Sequence, residues 1–427
     1  MLSITAGRVD IAPTLPVAVG IDGRIADRND GTLEANVLIF KGVNDAPVVL
    51  AQIDTMFVDS AFQNALSQQT GIDAARILLL ASHSHSTPML TGTLASPANC
   101  ERAYSEDVAT KIAVLVKQLL SDAAETASAH YGCLQANLNI NRRSVGAFFD
   151  LAALRRGRVS LARRCAMQPN ANGQVDPDLR LLRFDDERGD VRAIVWGYAA
   201  HPSRQHDTRA VSADFPGIVR SKLRQQFGSD VAILYVPGAA GSTAPRVPFA
   251  LPRDLSSLVR WLLPGVPYSP AFTPASYRSW CAQLAARAVE AAMQARAIAA
   301  DAPSCKQIFS KPIFDGRDPS GDIALNVQSI AFAPNLTLVA TSGELLCEWR
   351  DVLGGTLGEN IWLSGYLAGR PTYVPTSQVL AEGGYEADGF LKPFGMDGKF
   401  RSDLEHIVRA VIHEAALSDN IALSHSA

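Results

Sequence analysis

Residues 76–88 read RILLLASHSHSTP, and this stretch decides what kind of fold the chain can have. The aliphatic run Arg76–Ser82 is typical of a buried strand. If that strand continues into the SHSHS segment, His83 and His85 point to the same face, roughly 7 Å apart along the chain. Ligands of open α/β sheets usually bind at the carboxyl ends of strands. The stretch therefore predicts a sheet with two imidazoles at one edge.

Strand and helix patterns alternate on both sides of this stretch. Short β-branched or aliphatic runs predict strands at Asn36–Lys41, Pro47–Asp54, Arg76–Ser82, Leu179–Phe184, Val191–Ala200, Val231–Val236 and Leu336–Thr341. Longer helical patterns lie at Glu101–Ser128, at about Ala213–Gln226, at Pro274–Ala299 and at Asp403–Leu417. No linker divides the chain convincingly, so we expect one α/β domain over residues 1–427.

The stretch Arg246–Pro270 stands apart from this alternation. It contains five prolines, and its segment LSSLVRWLLPGV is short and amphipathic. One interpretation is a lid, insertion or acyl-binding wall over an active site. The other is an ordinary buried excursion of the chain, and the sequence leaves both open.

Composition excludes several classes of protein. The chain has 427 residues, 47% hydrophobic and 19% charged, and a formal net charge of -3, which argues against a nucleic-acid binder. No run of residues is long and apolar enough for a membrane span. Arg8, Asp10 and two prolines interrupt the N-terminal region where a secretory signal needs an apolar run. We therefore expect a cytoplasmic protein, although a signal peptide missing from this sequence would allow secretion.

Two further strands end in residues that are typical metal ligands. His201 follows the run VRAIVWGYAA, and Pro202 after it favours an extended backbone at the strand end. Glu344 follows LTLVATSG and precedes a helical pattern, so we expect it near a helix N-terminus, which favours the ionised carboxylate. Each residue alone is more typical of a structural role. Together with SHSHS they favour a metal site.

These stretches resemble, in the same order, the motifs of the catalytic domain of the neutral/alkaline, non-lysosomal ceramidase family. The resemblance runs from near residue 5, where AGRVDIAP looks like the first strand and turn, to about residue 400. ASHSHSTP is similar to the family's THTHSGP, and WGYAAHPS resembles the strand that ends in its second zinc histidine. TSGE is similar to PGE, NINRRS to the arginine segment of the pocket, and PTYVPT with GGYE to the tyrosine segment.

The resemblance implies the fold, the metal and the roles of the residues. The family cleaves the amide bond of N-acylsphingosine with one zinc ion, so we expect one Zn²⁺ per chain, a small-molecule or lipid-like N-acyl substrate, and a mixed β-sheet flanked by helices. The implied zinc ligands are His83, His201, Glu344 and Tyr373. The implied catalytic residues are His85, Arg142 and Tyr385.

Two features depart from the family. The loop GAAGSTAP at Gly238–Pro245 aligns with a family loop that carries a proposed serine nucleophile before its proline, and that position is Ala244 here. Ser242 or Thr243 is a less favoured substitute nucleophile. The family's C-terminal immunoglobulin-like domain also has no counterpart in the sequence. Both departures leave ceramide itself open as the substrate.

The sequence therefore predicts a zinc-dependent hydrolase that cleaves an amide or ester bond with metal-activated water. Two alternatives remain. An amidohydrolase barrel also has an HxH motif after a strand, but its later strand ends usually add a histidine and aspartate pair that is missing here. A non-catalytic, ligand-binding homologue would explain the alanine at position 244.

Overall fold

A mixed β-sheet forms the centre of the protein, as predicted. The computed structural model describes residues 2–42, 46–90, 102–149, 153, 156–203, 207–250, 258, 271–300, 303–317, 322–357 and 361–417. Across the sheet in these ranges, the hydrogen-bonded strands follow one another in the order Ala232–Pro237, Val191–Tyr198, Asp178–Asp186, Glu125–Gln135, Leu2–Asp10, Glu34–Phe40, Val48–Ile53, Ile77–Ala81, Ile361–Leu367, Leu336–Ser342, Asn326–Ala333 and Ser304–Phe309. A further short strand, Arg296–Ile298, also pairs with Glu125–Gln135. Each of the seven predicted strands is present, with ends within two residues of those predicted.

The directions of the strands exclude the barrel alternative. In the described part of the main sheet, neighbouring strands are parallel in three places: Val191–Tyr198 with Ala232–Pro237, Val48–Ile53 with Ile77–Ala81, and Leu336–Ser342 with Ile361–Leu367. The other neighbours in this order are antiparallel. A closed barrel of eight parallel strands is incompatible with this pattern.

The sheet bends so that its edge strand Ala232–Pro237 packs across two strands of its middle, Glu34–Phe40 and Ile361–Leu367. The backbone N–H of Ile233 donates to the side-chain oxygen of Asn36 at 3.3 Å, and the hydroxyl of Ser364 donates to the carbonyl of Pro237. Aliphatic side chains of both halves fill the space between them, including Leu50, Leu80, Val195, Leu234 and Leu338. Each such side chain contributes about 1.5–3 kcal/mol when it is fully buried. This packing brings distant strand ends together.

Helices cover the outer faces of the sheet. They span Ser60–Thr70, Arg102–Ser121, Asp214–Phe227, Pro274–Gln294, Trp349–Leu357, Ser377–Glu382 and Leu404–Ala416, with a 3₁₀ turn at Ala74–Arg76 and a π-helical turn at Tyr385–Gly389. Ile112 of the second helix packs in the same core as Val37, and Trp280 of the fourth packs with Trp196. None of the helices in the described ranges is long and apolar enough to cross a membrane.

Two of the predicted helices are too long. The helix predicted at Glu101–Ser128 ends at Ser121, and Glu125–Gln135 is a strand that pairs with Asp178–Asp186. The helix predicted at Pro274–Ala299 ends at Gln294, and Arg296–Ile298 is a strand that pairs with Glu125–Gln135. In both places, strand pairing with residues far away in the chain overrides the local pattern.

Short sheets hold the loops at the edge of the main sheet. A three-stranded sheet contains Leu161–Asn170, Asn139–Phe149 and Thr243–Pro245, and two-stranded pairs join Ala210–Val211 to Arg28–Asn29, Phe314–Arg317 to Asp397–Phe400, Val17–Val19 to Arg24–Ala26, and Glu344–Leu345 to Tyr373–Val374. The stretch 246–270 lies outside the described residues except for 246–250 and Leu258. Its interpretation as a lid therefore stays a prediction.

Candidate metal centre

Three imidazoles meet at one edge of the bent sheet. The Nε2 atom of His201 lies 3.1 Å from that of His83 and 3.0 Å from that of His85, and the two latter atoms are 3.3 Å apart. His83 and His201 are buried, whereas His85 is partly exposed. The three residues form a group that could hold a metal ion. His83 and His85 of the first motif thus lie next to His201 of the second, which is 116 to 118 residues away in the chain.

His83 reaches this position through a turn instead of a continuing strand. The strand ends at Ala81, and His83 has a φ of 62°, so the predicted extension of the strand through His85 is wrong. A residue with a Cβ in this left-handed region costs roughly 1–2 kcal/mol. The N–H of His83 donates to the carbonyl of Thr55 at 2.9 Å and helps to hold this backbone. Strained residues of this kind cluster at functional sites.

Backbone contacts join the two histidine loops. The N–H of His85 donates to the carbonyl of Pro202 at 3.1 Å, directly after His201. The guanidinium of Arg24 donates to the carbonyl of His85 at 2.9 Å and to the hydroxyl of Ser86 at 2.8 Å. These contacts fix the loops to each other, so the imidazoles are positioned before any ligand binds.

The second ring nitrogen of two histidines sets their tautomers. Nδ1 of His83 lies 3.0 Å from the carbonyl oxygen of Met56, and Nδ1 of His201 lies 3.3 Å from that of Ala240. Because a carbonyl can only accept, each Nδ1 donates and the Nε2 of the neutral ring carries a lone pair. This arrangement is typical of histidines that bind metals. Burial, followed by neighbouring positive groups, lowers the pKa of both His85 and His201 well below the ordinary value, which keeps those rings neutral.

The carboxylate of Glu344 points at the same atoms. Its Oε2 lies 3.4 Å from Nε2 of His83 and 3.8 Å from Nε2 of His201, and it is buried with no hydrogen-bond partner among the described residues. We call His83, His85, His201 and Glu344 the acceptor cluster. A buried carboxylate oxygen without a hydrogen-bond donor is costly, and a proton or a cation bound at this cluster would balance it.

The location of Glu344 differs from the one predicted. Glu344 lies in the short strand Glu344–Leu345 beside Tyr373–Val374, and the following helix begins only at Trp349. Its position is therefore set by strand pairing and not by a helix N-terminus. Gly343 before it has a φ of +86°, and a Cβ there would lie 2.7 Å from the carbonyl oxygen of Thr372. Only glycine allows this close approach.

The acceptor cluster fits a zinc ion. Zinc binds neutral imidazole nitrogens and carboxylate oxygens at about 2.0–2.2 Å, in tetrahedral geometry. Such bonds place the donor atoms of two ligands about 3.3 Å apart, which is close to the 3.1 Å between Nε2 of His83 and Nε2 of His201 and the 3.4 Å between Nε2 of His83 and Oε2 of Glu344. The unpaired Glu344 oxygen supplies the negative charge that a cation needs. The identity of the ion remains a prediction.

Tyr373 and Arg142 lie together beside the cluster. The guanidinium of Arg142 donates to the Tyr373 hydroxyl at 3.0 Å and to the carbonyl of Gly241 at 2.7 Å. Burial, followed by the charge of Glu344, raises the pKa of Tyr373 well above the ordinary value. Tyr373 also sits opposite Glu344 in their strand pair. The structure brings these residues together, and whether Tyr373 is a zinc ligand stays a prediction.

Tyr385 packs against Tyr373. Their ring centroids are 5.7 Å apart in an edge-to-face contact, and Tyr385 begins the π-helical turn Tyr385–Gly389. Burial raises the pKa of its phenol, so the hydroxyl keeps its proton and can donate. The structure thus places a neutral hydrogen-bond donor against Tyr373, and the catalytic role of Tyr385 stays a prediction.

Two residues of the site were missed from the sequence. Glu386 accepts from Arg142 and from Arg143, both at 2.9 Å, and so holds the first guanidinium in place. Tyr366 has a φ of 64°, and its ring centroid lies 4.2 Å from that of His83. The sequence offered one signal for Glu386. Its negative charge follows the motif tyrosine Tyr385 directly, and it is opposite to the positive charges of the adjacent Arg142 and Arg143 in another motif. Tyr366 lies within a strand and carried no comparable signal.

Ser242 joins the site through its backbone. The N–H of Arg142 donates to the carbonyl of Ser242 at 2.9 Å. The Ser242 hydroxyl donates to the carboxylate of Glu348 and contacts the sulfur of Cys347 at 3.0 Å. Ala244, at the position of the family serine, is buried in the short strand Thr243–Pro245. A nucleophilic role for Ser242 would require its hydroxyl to leave Glu348.

Comparisons with known proteins identify the fold. No family model and no curated protein sequence matches the chain. The crystal structure of neutral ceramidase from Pseudomonas aeruginosa is similar with a TM-score of 0.70 and 13% identity, over 97% of this chain and 74% of that one. A structure described as a ceramidase complexed with C2 is similar with a TM-score of 0.66 and 13% identity, over 99% of this chain and 76% of that one. The chain therefore has the neutral ceramidase fold, an α/β fold, over nearly its whole length.

Proposed function

We propose that this protein is a zinc-dependent hydrolase that cleaves the amide bond of an N-acyl compound, with an ester as a second substrate type. The acceptor cluster is the single observation that carries the proposal. Its three imidazole nitrogens converge with a carboxylate oxygen of Glu344 that has no hydrogen-bond partner among the described residues. The similarity to ceramidase structures favours amide hydrolysis over the other reactions of zinc sites.

The residues that would hold the ion are His83, His201 and Glu344, with Tyr373 as the fourth ligand and His85 beside them. When bound, zinc supplies Lewis-acid chemistry: it polarises a carbonyl group and makes water more acidic. The Nδ1 contacts of His83 and His201 orient their rings for this task.

Other side chains stabilise charge and move protons. Arg142 and Tyr385 donate hydrogen bonds to the oxygen on which negative charge develops when a carbonyl is attacked. Glu386 holds Arg142 in position for this role. His85 is partly exposed and its ring is neutral, so it can accept a proton from the attacking water and pass it to the leaving amine. The described residues thus provide a proton carrier and two donors beside one metal site.

Water is the nucleophile in this proposal. The position of the family serine is Ala244, which has no hydroxyl. The nearest alternative, Ser242, donates its hydroxyl to Glu348 and is held in a buried contact with Cys347. Attack by water needs no rearrangement of that buried contact.

The test combines metal analysis with a substrate panel. Protein purified without chelators is analysed for bound metals and assayed against N-acyl amides and esters at neutral and alkaline pH. We expect about one zinc per chain, and hydrolysis that a chelator abolishes and added zinc restores. Full hydrolysis by chelated protein would contradict the proposal.

A second candidate is a non-catalytic protein that binds an N-acyl ligand, and Ala244 is the observation that favours it. This candidate predicts ligand binding without turnover for every compound in the same panel. Zinc-dependent release of a fatty acid from any of these compounds would exclude it.

A further inference from the structure

A pocket shares Arg142 with the surroundings of the acceptor cluster. It has a volume of about 200 Å³, and its lining includes Ile140, Arg142, Ala244, Arg246, Phe249 and Phe272. It also includes Ser203, whose N–H donates to the carbonyl of His201 at 2.9 Å. Arg142 reaches from this pocket to the Tyr373 hydroxyl. A molecule in the pocket therefore extends toward the site of the proposed reaction. We call it the arginine pocket.

The charge of the arginine pocket is positive. Among the described residues, its lining contains two arginines, Arg142 and Arg246, and neither an aspartate nor a glutamate. Glu386 balances Arg142 at 2.9 Å, so that guanidinium is already paired. Arg246 is exposed and makes no ion pair with the described residues. Arg246 is therefore the group that remains available to a negatively charged ligand.

The backbone holds Arg246 at the wall of the pocket. Its N–H donates to the carbonyl of Leu138 at 2.8 Å, and Pro245 before it pairs with Asn139 in the three-stranded sheet. Apolar side chains stand next to it, including Phe249 and Phe272. A guanidinium next to apolar walls binds a carboxylate more strongly than one that is surrounded by water.

The size of the arginine pocket limits what enters. Sites for drug-sized ligands usually have volumes of about 300–1,000 Å³, so a pocket of about 200 Å³ holds one short segment of a substrate. Ala244 adds to the apolar wall at the position where a serine would add a hydroxyl. The pocket thus combines a small apolar space with one guanidinium that makes no ion pair with the described residues.

We propose that the arginine pocket binds a carboxylate on the amine side of the substrate, so that the substrate class is N-acyl amino acids. This proposal rests on the proposed amide hydrolysis. Arg246 binds the carboxylate, and the scissile amide lies between the pocket and the acceptor cluster. Hydrolysis adds water across the amide bond and releases a fatty acid and an amino acid.

The experiment compares two substrates that differ only in charge. N-hexanoylglycine carries a carboxylate, and N-hexanoylglycinamide has a neutral amide in its place. Release of hexanoate from each is measured with the zinc-loaded full chain, with Arg246→Gln, and with Arg296→Gln. Arg296 is an exposed arginine on the strand Arg296–Ile298 and serves as the matched control.

We expect kcat/KM to be about tenfold higher for N-hexanoylglycine, mainly through a lower KM, because the charged hydrogen bond to the exposed Arg246 is lost in the amide. Arg246→Gln should bring the ratio close to one, whereas Arg296→Gln should keep it. A ratio of one or below in the unchanged protein would overturn the proposal. So would a ratio that Arg246→Gln leaves at its original value.

A binding measurement separates this proposal from the proposed function. If neither compound is hydrolysed, the amide hydrolase is contradicted for this substrate pair, and calorimetric titration of both compounds then tests the arginine pocket by itself. The pocket proposal holds if N-hexanoylglycine binds about tenfold more tightly than the amide and Arg246→Gln removes the difference. Equal binding of the two compounds, or no binding, would overturn it.

Discussion

Two buried clusters of charged and polar side chains differ in how their charges are balanced. In the first, Glu34 accepts from Arg224 at 2.7 and 2.8 Å and from Arg8 at 3.1 Å, and Asp54 accepts from Arg220 at 2.6 Å. We call this the ion-pair cluster. In the acceptor cluster, by contrast, the Oε2 atom of Glu344 has no hydrogen-bond partner among the described residues, and its neighbours within 4 Å are imidazoles.

The difference shows how a structural cluster can be told from a functional one. A buried charge that has its partners within the chain is complete when the protein folds. A set of buried acceptors without donors is complete only when something from outside binds. The ion-pair cluster therefore serves stability, and the acceptor cluster is expected to serve metal binding at some cost to the stability of the metal-free protein.

The largest expected effect comes from the acceptor cluster. His83→Ala removes one converging imidazole, so we expect the protein to lose bound zinc and its hydrolytic activity to fall to the uncatalysed background. Metal analysis and a hydrolysis assay measure both. His406→Ala, on an exposed helix face, is the matched control and should change neither. Full activity in metal-free His83→Ala would remove the distinction between the two clusters.

The contribution of the ion-pair cluster to the stability of the protein should depend on pH and not on bound metal. Burial alone would raise the pKa of Glu34, but hydrogen bonding to Arg224 and the charges of Arg220, Arg224 and Arg8 outweigh it and lower the pKa to about 2. A carboxylate with a lowered pKa in the folded state stabilises the protein above its unfolded value of 4.5, and this contribution is lost as pH falls from 4.5 toward 2. We expect a loss of about 3 kcal/mol in the free energy of unfolding.

Chemical denaturation at several pH values measures this loss. Glu34→Gln should remove the pH dependence that arises from this group, and it should leave the protein less stable at pH 7. Glu187→Gln, at an exposed turn, is the matched control and should keep the pH dependence. The interpretation fails if Glu34→Gln has the pH profile and stability of the unchanged protein.

A smaller effect should come from a residue beside the acceptor cluster that does not hold the ion. Tyr385→Phe removes a donor to the developing negative charge, so we expect kcat to fall by about 10² while zinc content stays the same. Tyr104→Phe removes a hydroxyl that donates to the carbonyl of Ile11 and is the control. A near-normal kcat for Tyr385→Phe would reject this tyrosine as the donor.

The smallest expected effect is that of Ala244→Ser. The residue lies in the short strand Thr243–Pro245 and lines the arginine pocket, and none of the contacts that define either cluster involves its side chain. If water is the nucleophile, the added hydroxyl has no step to perform, and kcat should stay within the same order of magnitude. A large gain in kcat would instead indicate that a serine at this position acts as nucleophile.

The sequence predicted the fold class and the parts of the site that follow strand ends. Aliphatic runs gave seven strands correctly, because buried strands have a local pattern. It also predicted that His83, His85 and His201 belong to one site. The path of the backbone around them was wrong at His83, where φ is 62°, and at Glu344, which lies in a strand. Neither departure has a local signal in residue types.

The sequence alone determined which residue types were available: three histidines after two buried strands, a carboxylate after a third, and an arginine and two tyrosines in motifs of recognisable order. The tertiary structure decided which of their atoms meet, that Glu386 holds Arg142, and that Tyr366 packs on His83. The physical reason is that these contacts join residues far apart in the chain. They depend on how the sheet bends and on which strands become neighbours, and the free energy of that packing is shared among many residues that no single motif contains.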